Sequence, residues 1–174
     1  MTAASVRPAA ADDVPALATV QRRTWGIAYA DTLPKPALAA MLAEDAQERW
    51  RDAVCAPPSP RHGVLVALAG ATVTGFAAFG PALDDGLDPA VTAEIYALLV
   101  DPAAQGAGHG SRLLNGSVDV LRETGFAAAV SWLFDTDAAL AAFLEGAGWA
   151  VDGSTRDLDL GSPVHQTRMA TSWR

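Results

Sequence analysis

The chain has 174 residues, 51% of them apolar and 18% charged, with a net charge of −8. That length suits one domain over residues 1–174, and so apolar a composition excludes wholesale disorder. The acidic balance argues against nucleic-acid or anionic-membrane partners, which need a cationic face.

Residues 5–8 read as a short first strand stopped by Pro8. Asp12 or Asp13 can cap a helix with Pro15 in its first turn. Leu17, Val20 and Trp25 lie near one face of that helix. Pro34 and Pro36 interrupt the pattern, and a single second helix is expected to carry Leu38, Met41, Leu42 and Trp50. Cys55, the only cysteine, sits in a Pro-rich loop. It forbids an intramolecular disulfide and excludes a multi-cysteine metal site.

Residues 64–69 and 73–79 read as strands joined by a Gly70-Ala71 hairpin. Residues 81–89 form a second turn-rich loop. Residues 94–100 are nearly all apolar after Glu94, as in a central strand, and Asp101-Pro102 ends it. A helix over 110–124 repeats Leu114, Val118 and Leu121 at helical spacing. Residues 127–133 give another strand. A helix over 137–147 turns Leu140, Phe143, Leu144 and Ala147 inward and ends at a left-handed Gly148. Residues 149–151 and 165–171 supply two last strands. The order β-α-α-β-β-β-α-β-α-β-β predicts an α/β (α+β) mixed sheet with helices on its faces. The first residues lack the apolar core of a signal peptide. No window approaches the length of a membrane span, so a cytoplasmic protein is expected.

The most informative segment runs from the apolar strand through Gln105, Gly106, Ala107, Gly108, His109 and Gly110 into Ser111 and a helix. The first N–H groups of a helix have no intrahelical partner and lie at the positive end of its dipole. Glycines let a ligand approach that backbone, which makes an anion cradle suited to a pyrophosphate. A P-loop is disfavoured because no Lys-Ser/Thr follows the last glycine, and the spacing Gly106-x-Gly108-x-Gly110 is wrong for a Rossmann dinucleotide site. A glycine-rich connection without ligand stays open on the glycines alone.

Gln-x-x-Gly-x-Gly after a strand ending in Val-Asp-Pro closely resembles the acyl-CoA motif of the GNAT superfamily of N-acetyltransferases. Residues 132–149, with Asp137, Phe143, Leu144, Gly148 and Trp149, look like that family's later strand-helix-strand block. The opening around Val6-Arg7-Pro8 resembles its first strand and helix. The resemblance covers nearly the whole chain and is most specific over 94–149. It implies a mostly antiparallel sheet of six to seven strands flanked by about four helices. It implies acetyl-CoA as co-substrate, no metal, a small-molecule or peptide amine as acceptor, and a possible homodimer. It also implies CoA contacts from the backbones of Leu98, Leu99 and Val100 to the pantetheine and from residues 105–111 to the pyrophosphate. Asp137 takes the place of a family asparagine, or simply caps its helix. Trp25 and Tyr29 fall where relatives shape the acceptor pocket.

Acyl transfer to an amine needs the neutral amine, so a base helps. Glu94 opens the strand beside the implied cleft and is the candidate, against the alternative of a solvated carboxylate at a strand start. Many relatives carry a tyrosine acid in the later helix, where this chain has Leu144. Tyr29 and Tyr96 are the only phenols, and Tyr96 on the central strand is expected in the core. His62, His109 and His165 are scattered and form no ligand set, with His109 expected at the surface of the turn. The leading reading is an N-acetyltransferase. Its rival is a non-catalytic acyl-CoA-binding regulatory module on the same fold.

Overall fold

The computed structural model describes residues 4–43 and 46–173. The strands are β1 (Ala4–Pro8), β2 (Gly63–Ala69), β3 (Thr72–Pro81), β4 (Thr92–Val100), β5 (Ala128–Phe134), β6 (Ala150–Asp159) and β7 (Pro163–Ser172). The helices are α1 (Val14–Ala28), α2 (Lys35–Met41), α3 (Ala46–Cys55), α4 (His109–Glu123) and α5 (Ala138–Gly146). All these strands join one sheet in the order β1-β2-β3-β4-β5-β7-β6. Neighbours are antiparallel except β4 and β5, which are parallel.

The chemistry of the connections explains this order. Gly70, at φ 62°, lets β2 turn straight into β3, so that pair is antiparallel. Parallel neighbours cannot be joined by a tight turn, and the chain leaves β4 through the whole of α4 before returning as β5. Leu113, Leu114 and Leu121 of α4 pack on Leu65, Ala67 and Ala77 of the sheet. The opposite face is covered by Leu17 and Val20 of α1 and by Trp50 of α3, which meet Val66 and Phe76. Central strands buried on both faces read as continuous apolar runs rather than alternating ones, as β2 and β3 do.

Four expectations need correction. The single helix over 38–50 is two, α2 and α3. The reason lies in their partners: Leu38 and Met41 pack with Tyr29, Leu33 and Val164, whereas Trp50 packs with Phe76 and Leu17. One straight rod does not reach both clusters. Asp13 makes no side-chain cap for α1. Its carboxylate is taken by Arg7, at 2.6 and 3.0 Å, and by the Ala10 N–H.

The strand expected over 149–151 continues to Asp159. Its polar stretch and Asp152-Gly153 turn signal hide an edge strand that makes a bulge between Val151 and Thr155. Tyr96, expected in the core, is 45% exposed. Ala78 faces Ala97 while Phe79 faces Ile95, so Tyr96 is the extra residue of a bulge in β4 and leaves the face that the run of apolar residues assigns to it.

The Arg7 guanidinium holds the Asp13 carboxyl below the usual carboxylate range. A carboxylate with a depressed folded pKa adds stability above its unfolded pKa of about 3.9 and loses it as pH falls. Asp13→Asn should therefore lower the melting temperature by a few degrees near pH 7. The difference from the wild type should shrink below about pH 4.

Candidate active site

The parallel pairing of β4 and β5 is short. It is made at Thr92–Ala128, Ala93–Ala129 and Glu94–Val130, and the strands then part. The Ser131 hydroxyl donates to the Ile95 carbonyl at 3.0 Å and closes the apex. On its other edge β4 stays paired with β3 to the end, Leu98 with Ala77, Leu99 with Phe76 and Val100 with Gly75. The strand therefore presents one edge of its backbone to an opening. That cleft has a volume of about 190 Å³. Leu98 and Leu99 of β4, Leu133 of β5, Leu144 of α5, Trp25 of α1 and Tyr29 just past its end are among its walls.

The glycine turn lies where β4 leads into α4. Gly106 and Gly108 sit at φ 77° and 79°, a left-handed region that other residues adopt at a cost. Gly108 is the residue from which α4 starts. Among the described residues, no acceptor takes the N–H groups of residues 106–111. This is a row of free donors at a helix N-terminus. Gln105 donates its side-chain amide to the Val100 carbonyl at 3.3 Å, and Thr24 of α1 reaches the same oxygen at 3.4 Å. His109, expected at the surface, is only 4% exposed, and its Nδ1 lacks a partner. It shares a face of α4 with Leu113 and Ser117, against the sheet. The turn thus offers the backbone of His109 and not its imidazole.

Glu94 sits at the apex, as the last paired residue of β4 before the strands part. It shares a face with Gly80 of β3, its register partner. A Cβ on Gly80 would come within 2.4 Å of the His62 ring and 2.8 Å of the Tyr96 hydroxyl. Only glycine therefore lets those two side chains close over this side of Glu94. Burial and then the nearby Asp84 push the Glu94 carboxyl above the usual glutamate range, while Arg156 and Arg168 pull it back.

Sequence reading missed the rest of this end of the site. Asp84, read only as part of a turn, accepts from the Trp132 indole at 2.7 Å and from Arg168 at 3.1 Å. Arg156 and Arg168 lie over the Trp132 ring. Trp132 lies two residues beyond the last paired position of β5, on the face of Val130, a place that only the pairing reveals.

The two phenols are placed differently. The Tyr29 hydroxyl donates to Asp137 at 3.0 Å, and the other oxygen of Asp137 caps α5 through the Leu140 N–H. Burial and then Asp137 raise the Tyr29 phenol well above its ordinary value. Tyr96 donates to the Pro81 carbonyl at 2.8 Å, and burial and then Glu94 push it up to about 12. Leu144 is 2% exposed and faces the cleft, and α5 carries no hydroxyl or thiol. Of the candidates named from sequence, Leu98, Leu99, Trp25 and Tyr29 meet in the cleft. Glu94 stands at its apex, Asp137 at the foot of α5 and residues 105–111 at the turn. Cys55 is exposed at the end of α3. Among the described residues no group of three or more His, Cys, Asp or Glu is placed to hold a metal.

Gly108→Val tests the turn. A β-branched residue at a positive φ strains the backbone, and its Cβ would meet the Arg112 guanidinium at 3.0 Å. Affinity for CoA, measured by calorimetry, should fall at least about tenfold, the loss of one good charge-assisted hydrogen bond. Unchanged affinity in a folded variant would remove the turn from the site.

Comparison with known proteins agrees with this geometry. The chain is 27% identical over 134 residues, 75% of its length and 72% of the relative's, to the uncharacterized N-acetyltransferase YuaI of Bacillus subtilis. Its fold superposes on the PaiA N-acetyltransferase of Thermoplasma acidophilum, solved with coenzyme A, with a TM-score of 0.77 and 19% identity over 98% of this chain and 99% of that one. It also superposes on YncA of Salmonella typhimurium, a putative acetyltransferase solved with acetyl-CoA, with a TM-score of 0.68 and 22% identity over 98% and 94%. The sequence model of the acetyltransferase (GNAT) family matches residues 25–149, from the α1 wall of the cleft to the end of α5, and the chain belongs to that family.

Proposed function

We propose that the protein acetylates a primary amine by direct attack on acetyl-CoA. The observation that carries this reading is the wedge itself. It has a β4 edge that no strand pairs beyond Glu94, a row of free amides over 106–111 at one end and a carboxylate of raised proton affinity at the other. Residues 105–111 hold the pyrophosphate, and that edge of β4 meets the pantetheine amides as a neighbouring strand would. Asp137 seats α5 and Tyr29 beside that arm. Bound acetyl-CoA supplies an acyl carbon open to a nucleophile and a thiolate that can leave.

An ordinary alkylamine has a pKa of about 10.4 and is neutral in well under ~0.1% of molecules at pH 7. Glu94 takes the proton that prevents attack. Its environment suits this task, because a raised pKa brings the base closer to working pH. Tyr29 and Tyr96 have their protons engaged and their pKa values raised, so neither is a ready acid. The thiolate leaves without a dedicated protein acid, which a thiol pKa near 8.5 permits. A cytoplasmic location fits an acetyl-CoA-dependent enzyme with a single free thiol. No helix among the described residues is long and apolar enough to cross a membrane.

An amine screen with detection of free CoA thiol is the direct test. Acceptor-dependent thiol release supports the enzyme. Firm acetyl-CoA binding without turnover of any amine would favour the regulatory module instead.

The rising limb of kcat/KM against pH should lie above the ordinary glutamate pKa of about 4.3. Asp84→Asn should move it to lower pH, because a charge that opposes ionisation is removed. Glu94→Gln should abolish the limb and lower kcat/KM by about 10²- to 10⁴-fold. The same variant should melt higher than wild type near pH 7. A carboxyl whose folded pKa is raised binds more protons folded than unfolded, so its ionisation costs stability as pH rises. Tyr29→Phe and Tyr96→Phe should change the single-turnover rate by less than about threefold, far below the 10²- to 10⁴-fold worth of a true general acid. A larger loss with intact CoA binding would show that the acid has moved to a phenol.

A further inference from the structure

Two arginines lie over Trp132, and their donors are used very differently. Arg168 is spent. Its Nε donates to Asp152 at 2.7 Å, Nη1 to Asp84 at 3.1 Å and Nη2 to Ser154 at 2.7 Å. Asp152 and Ser154 reach it because they lie in the β6 bulge, where Gly153 turns the chain at φ 89°. Its side chain is 12% exposed.

Among the described residues Arg156 donates only through its Nε, to Gln166 at 2.7 Å. Its Nη1 stops 3.9 Å from Asp84, too far for a hydrogen bond. Among the described residues its Nη2 has no acceptor. The guanidinium carbon lies 4.2 Å over the centre of the Trp132 ring, and the side chain remains 38% exposed. Its two terminal nitrogens make a fork, unoccupied among the described residues, of the kind that binds an oxyanion through two parallel hydrogen bonds.

The register places this fork beside the apex. Trp132 pairs with Arg168, and Phe134 with Gln166. Gln166 pairs with Arg156, so all these residues share one face of the sheet. Glu94 is on the same face, beside Val130. By strand spacing, Glu94 and Trp132 are roughly 8 Å apart at their Cα atoms. Glu94 also lies within electrostatic reach of Arg156. Tyr29, Met41 and Phe134 form an apolar wall beside them.

We propose that the unoccupied Arg156 fork, lying over Trp132, binds the carboxylate of the acceptor, which is a small α-amino acid with an apolar side chain whose amine points to Glu94. This rests on the acetyl-transfer reading above. Such a zwitterion has no net charge, so the acidic chain does not repel it. Its carboxylate replaces the water around Arg156, its ammonium meets the carboxylate at the apex, and its side chain meets the apolar wall.

The experiment compares amino acids with their amides and with the parent amines, for the wild type, Arg156→Gln and Arg156→Lys. Turnover is read as CoA thiol release, and binding to the CoA-saturated protein by calorimetry. Melting temperature and CoA affinity report that each variant is folded. The wild type should favour the acids over their amides by about 10- to 100-fold in kcat/KM, the worth of a charge-assisted pair. Arg156→Gln should erase that preference through KM. Arg156→Lys should keep only part of it, since an ammonium lacks the fork. Equal use of acids, amides and amines, or a preference that survives Arg156→Gln, would overturn the subsite and leave acetyl transfer standing. Binding of an acid that depends on Arg156, without turnover, would uphold the subsite and overturn the enzymatic reading. Absence of both binding and turnover for every acid would overturn the proposal.

Discussion

The rest of this molecule depends on the end of one hydrogen-bond ladder. Two parallel central strands, β4 and β5, part after three paired positions. Backbone groups shut away from water without partners cost about 1–3 kcal/mol each, so strands rarely part inside a sheet. Here the cost is contained locally. Ser131 supplies a hydroxyl to the first orphaned carbonyl, that of Ile95. Beyond it the edge of β4 faces a cleft of about 190 Å³, roomy enough for water. The ladder on the other edge of β4 continues to Val100, so the strand stays fixed although one neighbour has left. The opening is rigid because α4 and α5 back one face and α1 and α3 the other.

Several other features follow from that gap. A strand that ends beside a gap can feed a helix whose first amides point to the gap's mouth, and Gly106 and Gly108 make that turn possible. Tyr96 and Trp132, beyond the last paired position of each strand, line the cleft on the sheet face that carries Glu94. The β4 bulge puts Tyr96 there, and Trp132 shares the face of Val130, the partner of Glu94. Asp84 and Arg168 then complete the apex from a loop and from a third strand, one carboxylate set against one guanidinium. Arg168 also takes Asp152, so one guanidinium serves two carboxylates while Arg156 stops 3.9 Å short of Asp84.

The legible part of this arrangement was what is local in sequence. The glycine turn, the Asp101-Pro102 stop, the left-handed Gly148 and the apolar run of β4 each follow from the backbone preferences of a few adjacent residues. Glu94 was legible because it opens that run. What stayed hidden depends on contacts far apart in the chain. Asp84 and Arg168 are 84 residues apart, and neither stands out in its own segment. The bulge that exposes Tyr96 is set by pairing with β3 and leaves no mark in the alternation of β4. His109 looked like a surface residue of a polar turn, yet it is the first residue of α4, and helix geometry points it inward with Leu113 and Ser117. The break between α2 and α3 has no glycine or proline to announce it and is imposed by two separate apolar clusters.

Leu144 looks like a defect against the family pattern, but the proton inventory of the proposed reaction has room for it. An ammonium acceptor loses two protons on becoming an amide, and the CoA thiolate gains one. The net yield is a single proton for solvent. Glu94 accepts the first, before attack, and a half-buried carboxylate can release it to water at the apex. The second leaves the nitrogen only as the C–S bond breaks, by which time that nitrogen is far more acidic than a free amine. Water in the cleft can then pass a proton to a thiolate whose conjugate acid has a pKa near 8.5. The step that cannot be left to solvent at neutral pH is the first, because the free ammonium holds its proton some three units too tightly. In the proposed reaction the carboxylate of raised proton affinity, Glu94, therefore serves that step, and a leucine against the arm of acetyl-CoA gives up at most the general-acid factor of about 10²–10⁴ in exchange for a drier, better packed wall.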